Sequence, residues 1–429
     1  MTSHLAWAQC VPSGWAVKPL RAVSSYVVSN VDKIPVDGER AVRLCNYSDV
    51  YNNEFITQHL DFMACTATED EIRKFGLLGD DVIITKDSES WDDIGIPALV
   101  IETAEDLVCG YHLALLRPDE TALSGRFLLR CLQAKVLRLQ LELAANGVTR
   151  FGLPKSDIGA MRLPVPSLER QRAIADFLDR ETARLDALVA AKRRVLDLLA
   201  EKRKAIVATA VTRGLDPKVK LRDSGVPWLG EIPAHWEIER ARWLFRERDV
   251  RSTTGDEEML TVSHLTGVTP RSEKDVNMFE AETNEGYKLC EPGDLVINTL
   301  WAWMGAMGIA PVKGIVSPAY NVYEPGPRLA PAYIDALVRL PVFAQEVTRY
   351  SKGVWSSRLR LYPEGFFEVY LPVPPQEEQR AVIAHIARET AKLDAVRAAT
   401  ERTIALLKER RSALIAAAVT GQLDVGATA

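Results

Sequence analysis

The side chains best suited to chemistry lie in short loops. Ser351–Arg360, SKGVWSSRLR, gathers Lys352, Ser356, Ser357, Arg358 and Arg360 around Trp355. Asn146–Lys155, NGVTRFGLPK, offers Thr149, Arg150 and Lys155. Two further windows follow apolar strands: TKDS at 85–88, with Lys86, and NTLWAW at 298–303, with Trp301 and Trp303. Arg, Lys, Ser and Thr on loops can bond to phosphate oxygens and to base edges in the grooves of DNA, and Trp can wedge or stack on a base. A solvated basic loop has the same composition, and the tryptophans fit a core or a partner contact equally well. All these windows stay open at this point.

Catalytic readings find less support. Ser317-Pro318-Ala319-Tyr320 resembles the Ser-Pro-Pro-Tyr motif of adenine methyltransferases, but Ala replaces the second Pro. Phe75–Gly79, FGLLG, is a poor substitute for a glycine-rich cofactor loop, and the tetrapeptide reads better as the start of a strand. No G-x-x-x-x-G-K-[ST] is present, which argues against a P-loop motor. The six histidines form no H-x-x-x-H pair, so metal chemistry is not expected. The six cysteines form no C-x-x-C pair, which fits a reducing cytosol.

The elements that must position these loops come from an internal repeat. Residues 163–216 recur without gaps at 371–424, with roughly half the positions identical. Each copy opens with Leu-Pro-Val-Pro, which enforces extended backbone. Glu169 and Glu377 follow in the first helical turn, where a negative charge suits the helix dipole. Neither copy has Gly or Pro in the next forty residues or so. Apolar residues fall at heptad-like spacing: Ile174, Leu178, Leu185, Leu188, Val195, Leu199 and Ile206, then Val382, Ile386, Leu393, Val396, Leu407 and Leu414. Glu181 with Glu389, and Lys192 with Thr400, are expected as polar members of the seam. At about 1.5 Å per residue each helix is about 65 Å long. One helix cannot bury its own seam, so the two are expected to pair as an antiparallel coiled coil.

The globular segments share an order of elements. VPSGW at 11–15 matches IPAHW at 232–236. Gly79-Asp80 precedes Val82–Ile84 as Gly293-Asp294 precedes Leu295–Ile297. Further strands are expected near 111–116 and 319–323, then helical stretches closed by Gly147 and Gly353 as C-caps, with Pro341 kinking or splitting the second stretch. The fold class expected is α+β: two pseudo-repeated globular domains separated by two long helices. The boundaries are 1–162, 163–216, 217–370 (with a linker at 217–229) and 371–429.

LPVP-x-x-E-x-QR at the start of each helix, TRGLD at 212–216 (TGQLD at 420–424) and GEIPAHW at 230–236 identify the chain as resembling the specificity subunits of type I DNA restriction-modification enzymes. The resemblance implies a non-catalytic subunit with two target-recognition domains, each reading one half of a split, asymmetric DNA site. It implies helices that set the half-site spacing and dock two modification subunits, which bind S-adenosylmethionine and methylate adenine. Restriction subunits using ATP and Mg would join them. This chain itself is expected to carry no cofactor.

A duplex turn of about 34 Å is compatible with domains held by such helices. Net charge is −5 and the pI about 5.9; a lone nucleic-acid binder is more often basic, so partners are expected to supply much of the phosphate contact. Gln171, Arg172, Gln379 and Arg380, in the first helical turns, are expected to dock a partner or the adjacent domain. Arg193, Arg194, Lys202, Arg203, Lys204, Arg402, Arg410 and Arg411 fit a solvated helix face, a partner contact or a phosphate contact. The 47% hydrophobic content supports more than one core. No apolar stretch is long enough to span a membrane and no signal peptide is recognisable, so a cytoplasmic protein is expected. Two competing functions are a self-contained DNA methyltransferase and a coiled-coil scaffold without a DNA role.

Overall fold

The computed structural model describes residues 3–274, 283–353 and 359–425. The chain divides into two compact units, residues 1–193 with 401–429, and residues 194–400.

The first unit is built on strands β1 (Ser24–Val28), β2 (Val82–Thr85), β3 (Pro97–Val100) and β4 (Leu113–Pro118), in the order β1-β4-β2-β3, all antiparallel. Phe55–Ile56 adds a parallel edge beside β3. β2 and β3 are buried along their whole length, which explains their uninterrupted apolar sequences. Val82, Ile84, Leu99, Ala114 and Leu116 pack on helices α1 (Gly125–Gln133) and α2 (Lys135–Ala144). The alternate residues Ile83, Ala98, Val100, Leu113 and Leu115 pack on a second sheet formed by Arg40–Cys45, Met63–Ala67 and Leu107–Cys109.

Leu-Pro-Val is a strand in this unit, Arg162–Val165 pairing with Ala16–Pro19. Helix α3 (Leu168–Arg213) follows directly. The Ser167 hydroxyl accepts the Arg170 N–H at 3.3 Å and caps it. Gly214 (φ +74°) ends it in the left-handed conformation that closes many helices.

The second unit repeats the plan. Strands β5 (Phe245–Glu247), β6 (Leu295–Ile297), β7 (Met307–Ile309) and β8 (Asn321–Pro325) lie in the order β5-β8-β6-β7. Leu295, Ile297 and Tyr323 pack on helices α4 (Pro331–Val338) and α5 (Pro341–Arg349), while Val296 and Val322 face a second apolar cluster with Leu260, Val262 and Val316. Tyr370–Val373 pairs with Glu237–Arg240 and leads into α6 (Gln376–Val419).

The two long helices run antiparallel. In the first unit Arg411 of α6 reaches Asp186 of α3 at 3.1 Å. In the second Arg203 reaches Asp394 at 2.6 Å. Within the first unit Arg170, earlier on α3, also reaches Asp424, just past the end of α6, so moving forward along α3 means moving back along α6. The fold is the expected α+β arrangement with an antiparallel helical pair.

Several local expectations are corrected. The seam passes through Ile174, Leu178, Thr182, Leu185 and Val189 rather than through Leu188 and Val195, which are exposed. Its buried polar members are Thr182, Thr390 and Thr400, not Glu181, Glu389 and Lys192; each hydroxyl donates to a carbonyl of its own helix and so needs no partner across the seam. Pro341 does divide the second helical stretch, but the first divides too, at Ala134, whose backbone is extended. Gly147 (φ +150°) and Gly353 (φ +158°) are not C-caps, because α2 and α5 have already ended; a Cβ on Gly147 would lie 1.9 Å from the Arg150 carbonyl oxygen. The counterpart of Gly293-Asp294 is Asp80-Asp81. Asp80 takes the left-handed position (φ +72°) held by Gly293 (φ +97°). Asp81 and Asp294 each accept a backbone N–H three residues back at 2.8 Å.

Candidate nucleic-acid interface

In the first unit the two sequence windows meet. Asp87–Ser88 pairs with Phe151–Gly152, and the Leu153 N–H donates to the Lys86 carbonyl at 2.9 Å. Asn146 and Gly152 exchange both backbone hydrogen bonds, making 146–152 a hairpin. Thr149 and Arg150 stand exposed on it. Lys155 is also exposed, at the start of a short helix, with its ammonium 5.8 Å from the Tyr26 ring centre. Lys86 is placed otherwise. Its Nζ lies 2.7 Å from Asp87 Oδ1, with both side chains largely buried, so it neutralises a carboxylate rather than projecting toward solvent.

The second unit has the same loop. Lys352 and Arg360 exchange both backbone bonds at 2.9 Å, and the Leu361 N–H donates to the Thr299 carbonyl at 3.1 Å. Lys352 and Arg360 stand exposed at this bridge. Trp355, Ser356, Ser357 and Arg358 lie outside the described residues. Trp301 is 49% exposed. Trp303 is partly buried and donates its indole N–H to the Leu300 carbonyl at 3.0 Å, which fixes it to its own turn. Ser317–Tyr320 braces the same region: Thr299 Oγ1 donates to the Ala319 carbonyl, and Asn298 donates to the Tyr320 hydroxyl. Burial pushes the Tyr320 phenol up, against the Asn298 bond that lowers it.

Sequence reasoning missed the groups behind Arg150. His112, in a left-handed backbone conformation (φ +71°), sets its Nδ1 2.6 Å from Asp87 Oδ2 and its Nε2 3.5 Å from Arg150 Nη2. A cleft of about 380 Å³ adjoins them, lined by Tyr47, Tyr51, Ser88, Glu89, Asp93 and Arg150. Tyr47 and Tyr51 stack at 5.6 Å, and the Tyr51 hydroxyl donates to Asp93 at 2.8 Å. Burial pushes the Tyr47 phenol up, against a Ser88 hydrogen bond that lowers it. The signal available in the sequence was only the length of the loops, which a one-dimensional reading cannot fold together.

Gln171 and Gln379 are fully buried and take part in no exposed surface. Gln171 Oε1 accepts the Ser124 N–H at 2.9 Å, and its Nε2 donates to the carbonyls of Ala122 and Pro166, each at 2.9 Å. Gln379 does the same with the Ala330 N–H and the carbonyls of Arg328 and Pro374. Each amide therefore fastens its own globular domain, at the start of α1 or α4, to the long helix that follows. Arg172 and Arg380, one residue on, are exposed. Of the basic helix residues, Arg203 and Arg411 form the ion pairs between α3 and α6, and Arg411 also reaches Glu54 at 2.7 Å. The motifs VPSGW and IPAHW have a packing role: Pro12 and Trp15 lie against Gly421, Pro233 and Trp236 against Gly214, so each covers the glycine that closes a long helix.

Comparison with known proteins assigns this architecture. Residues 38–196 match the family described as the type I restriction modification DNA specificity domain. Over this segment the chain is similar to type I DNA specificity domains. The resemblance drawn from the repeated helices is thereby borne out, and DNA sequence recognition within a restriction-modification complex, rather than catalysis, is the role that goes with it. No curated protein matches the chain. Two solved structures share the fold along nearly its whole length. The HsdS subunit from Thermoanaerobacter tengcongensis is 19% identical, with 96% of this chain and 98% of that one covered and a TM-score of 0.54. A chain from a study of complex assembly and conformational transition of the type I R-M system is 18% identical, with 96% and 99% covered and a TM-score of 0.66. Around the specificity domain, no helix among the described residues is long and apolar enough to cross a membrane.

Proposed function

We propose that the chain reads a split, asymmetric DNA site, each globular domain contacting one half through its hairpin loop. The observation that carries this reading is the pair of hairpins. They spring from the same point of two domains built alike, yet differ in length and in side chains, as two readers of different bases must. Thr149, Arg150 and Lys155 serve the first half; Lys352, Arg360 and Trp301 serve the second, together with Ser356, Ser357 and Arg358.

The helices would then fix the spacing between halves and carry the modification subunits. Each unit leaves apolar side chains uncovered on its helical segments: Leu188 and Leu406 in the first, Leu198 and Val396 in the second. Leu188 and Val396 occupy equivalent positions of the repeat, as do Leu198 and Leu406. A surface that occurs twice suits two copies of one partner. S-adenosylmethionine would belong to those modification subunits, and ATP with Mg to restriction subunits. The complex would work in the cytoplasm.

The test is co-expression with the neighbouring modification subunit, followed by mapping of methylated adenines in host DNA by single-molecule sequencing. A two-part motif with one methylated adenine in each part is expected. Thr149→Ala with Arg150→Ala should then relax one part, and Lys352→Ala with Arg360→Ala the other. A stable complex that methylates no defined motif would refute the reading.

A further inference from the structure

Building on the hairpin as the DNA contact of the first domain, we propose that His112, held by Asp87, is a positioning residue that aims Arg150 at the DNA. Arg150 stands on an exposed loop and makes no ion pair among the described residues. A long side chain left free in solvent must lose its rotamer freedom on binding, and that loss weakens affinity unless something orders it beforehand.

The order comes from behind. His112 Nδ1 lies 2.6 Å from Asp87 Oδ2, so in the neutral imidazole Nδ1 is the donor to the carboxylate and Nε2 the acceptor. That acceptor faces Arg150 Nη2 at 3.5 Å, the outer edge of hydrogen-bond reach. The other guanidinium N–H groups stay available for a forked contact with the O6 and N7 atoms of a guanine.

The relay is itself fixed at both ends. Asp87 pairs with Lys86 at 2.7 Å, and the Lys86 N–H donates to the His112 carbonyl at 2.9 Å. The His112 ring also packs on Tyr111, with centres 3.8 Å apart. A left-handed backbone at a residue other than Gly is uncommon, and here it turns the imidazole toward the hairpin. Lys86 takes up the Asp87 charge, so the carboxylate needed to hold His112 does not repel DNA.

The experiment uses the assembled methyltransferase complex and duplexes carrying the mapped motif, with each base of the first part varied in turn. Arg150→Ala, His112→Ala, His112→Gln and the Arg150→Ala/His112→Ala double variant are compared. His112→Ala should lose about tenfold in affinity and discrimination at the one position that Arg150→Ala affects. It should cost nothing further in the Arg150→Ala background. His112→Gln should recover most of the loss, because its amide oxygen can accept from the guanidinium. If Arg150→Ala binds like the wild type, the reading of the hairpin as a DNA contact fails. If Arg150→Ala is impaired while His112→Ala is silent, or the two losses simply add, the positioning role alone is wrong.

Discussion

Replacing Gln379 by Leu keeps the size of a fully buried side chain and deletes three hydrogen bonds. Two of the groups it strands, the Ala330 N–H and the Arg328 carbonyl, lie at the start of α4, where water can partly replace the lost partner. The third, the carbonyl of buried Pro374, has no such recourse. A buried polar group left unpaired costs about 1–3 kcal/mol. Counting the Pro374 carbonyl in full and the other two in part gives about 3 kcal/mol, or on the order of 100-fold in the opening equilibrium between the domain and its helix. Hydrogen exchange read by mass spectrometry resolves where the loss falls. Amides of α4 and of the first turns of α6 should exchange about 100-fold faster, while α1 keeps its wild-type rate. Gln171→Leu should produce the mirror image, with α1 and the start of α3 affected and α4 spared. If these amides served an external partner instead, exchange would stay unchanged while assembly failed. A local effect below about 1 kcal/mol, or equal acceleration in both domains, would refute the assignment.

Asp179 gives a pH-dependent test. Burial raises its pKa, but the hydrogen bonds and charges of Arg126 and Arg130 outweigh burial and hold it below the usual value. A carboxylate whose folded pKa is lowered stabilises above about pH 4 and loses that contribution as pH falls through its folded value. The stability gap between wild type and Asp179→Asn in urea should therefore be largest at neutral pH and close in acid; a constant gap contradicts the pairing. Arg130, 1% exposed, joins Asp179 to Glu54 at 2.6 Å on each side, and Arg130→Ala should cost about 3–5 kcal/mol by leaving two carboxylates facing each other; an effect under about 1 kcal/mol would show the network to be dispensable. Leu198→Glu combined with Leu406→Glu should abolish co-purification of the modification subunit while changing unfolding stability by no more than about 0.5 kcal/mol; retained assembly would exclude this surface. Cys10 is exposed and the other five cysteines are buried. Burial pushes the thiols of Cys45, Cys109 and Cys131 up, and that of Cys290 up to about 12. A thiol reagent should thus titrate Cys10 alone in the native chain, and rapid modification of a second thiol would show the cores to be open.

The long helices were legible because their signals are local. Pro before the first turn, an unbroken run without Gly or Pro, and Gly at Gly214 and Gly421 specify start, length and stop. The seam was legible only to within one position. Heptad spacing does not say which of two adjacent apolar residues turns inward, so it points to Leu188 where Val189 is buried. The loops told less. Lys86 and Arg150 carry the same charge and lie in equally polar windows, yet one is spent on Asp87 and the other is exposed. Gln171 and Gln379 sit where a polar residue ordinarily faces solvent, and only the domain folding back over them turns each amide into a buried clamp.

By itself the sequence determined a chain built twice, the family it resembles, the helices and the place of the candidate loops. Each of these rests on short-range patterns: periodicity, turn residues and a repeat whose two copies report on each other. Tertiary structure decided which side chains the loops leave exposed and what stands behind them. His112 and Arg150 are far apart in the chain and meet because β4 begins beside the strand on which the hairpin is pinned. Such meetings depend on strand order and on the partner each charge finds, and neither is written in the spacing of residues along one segment.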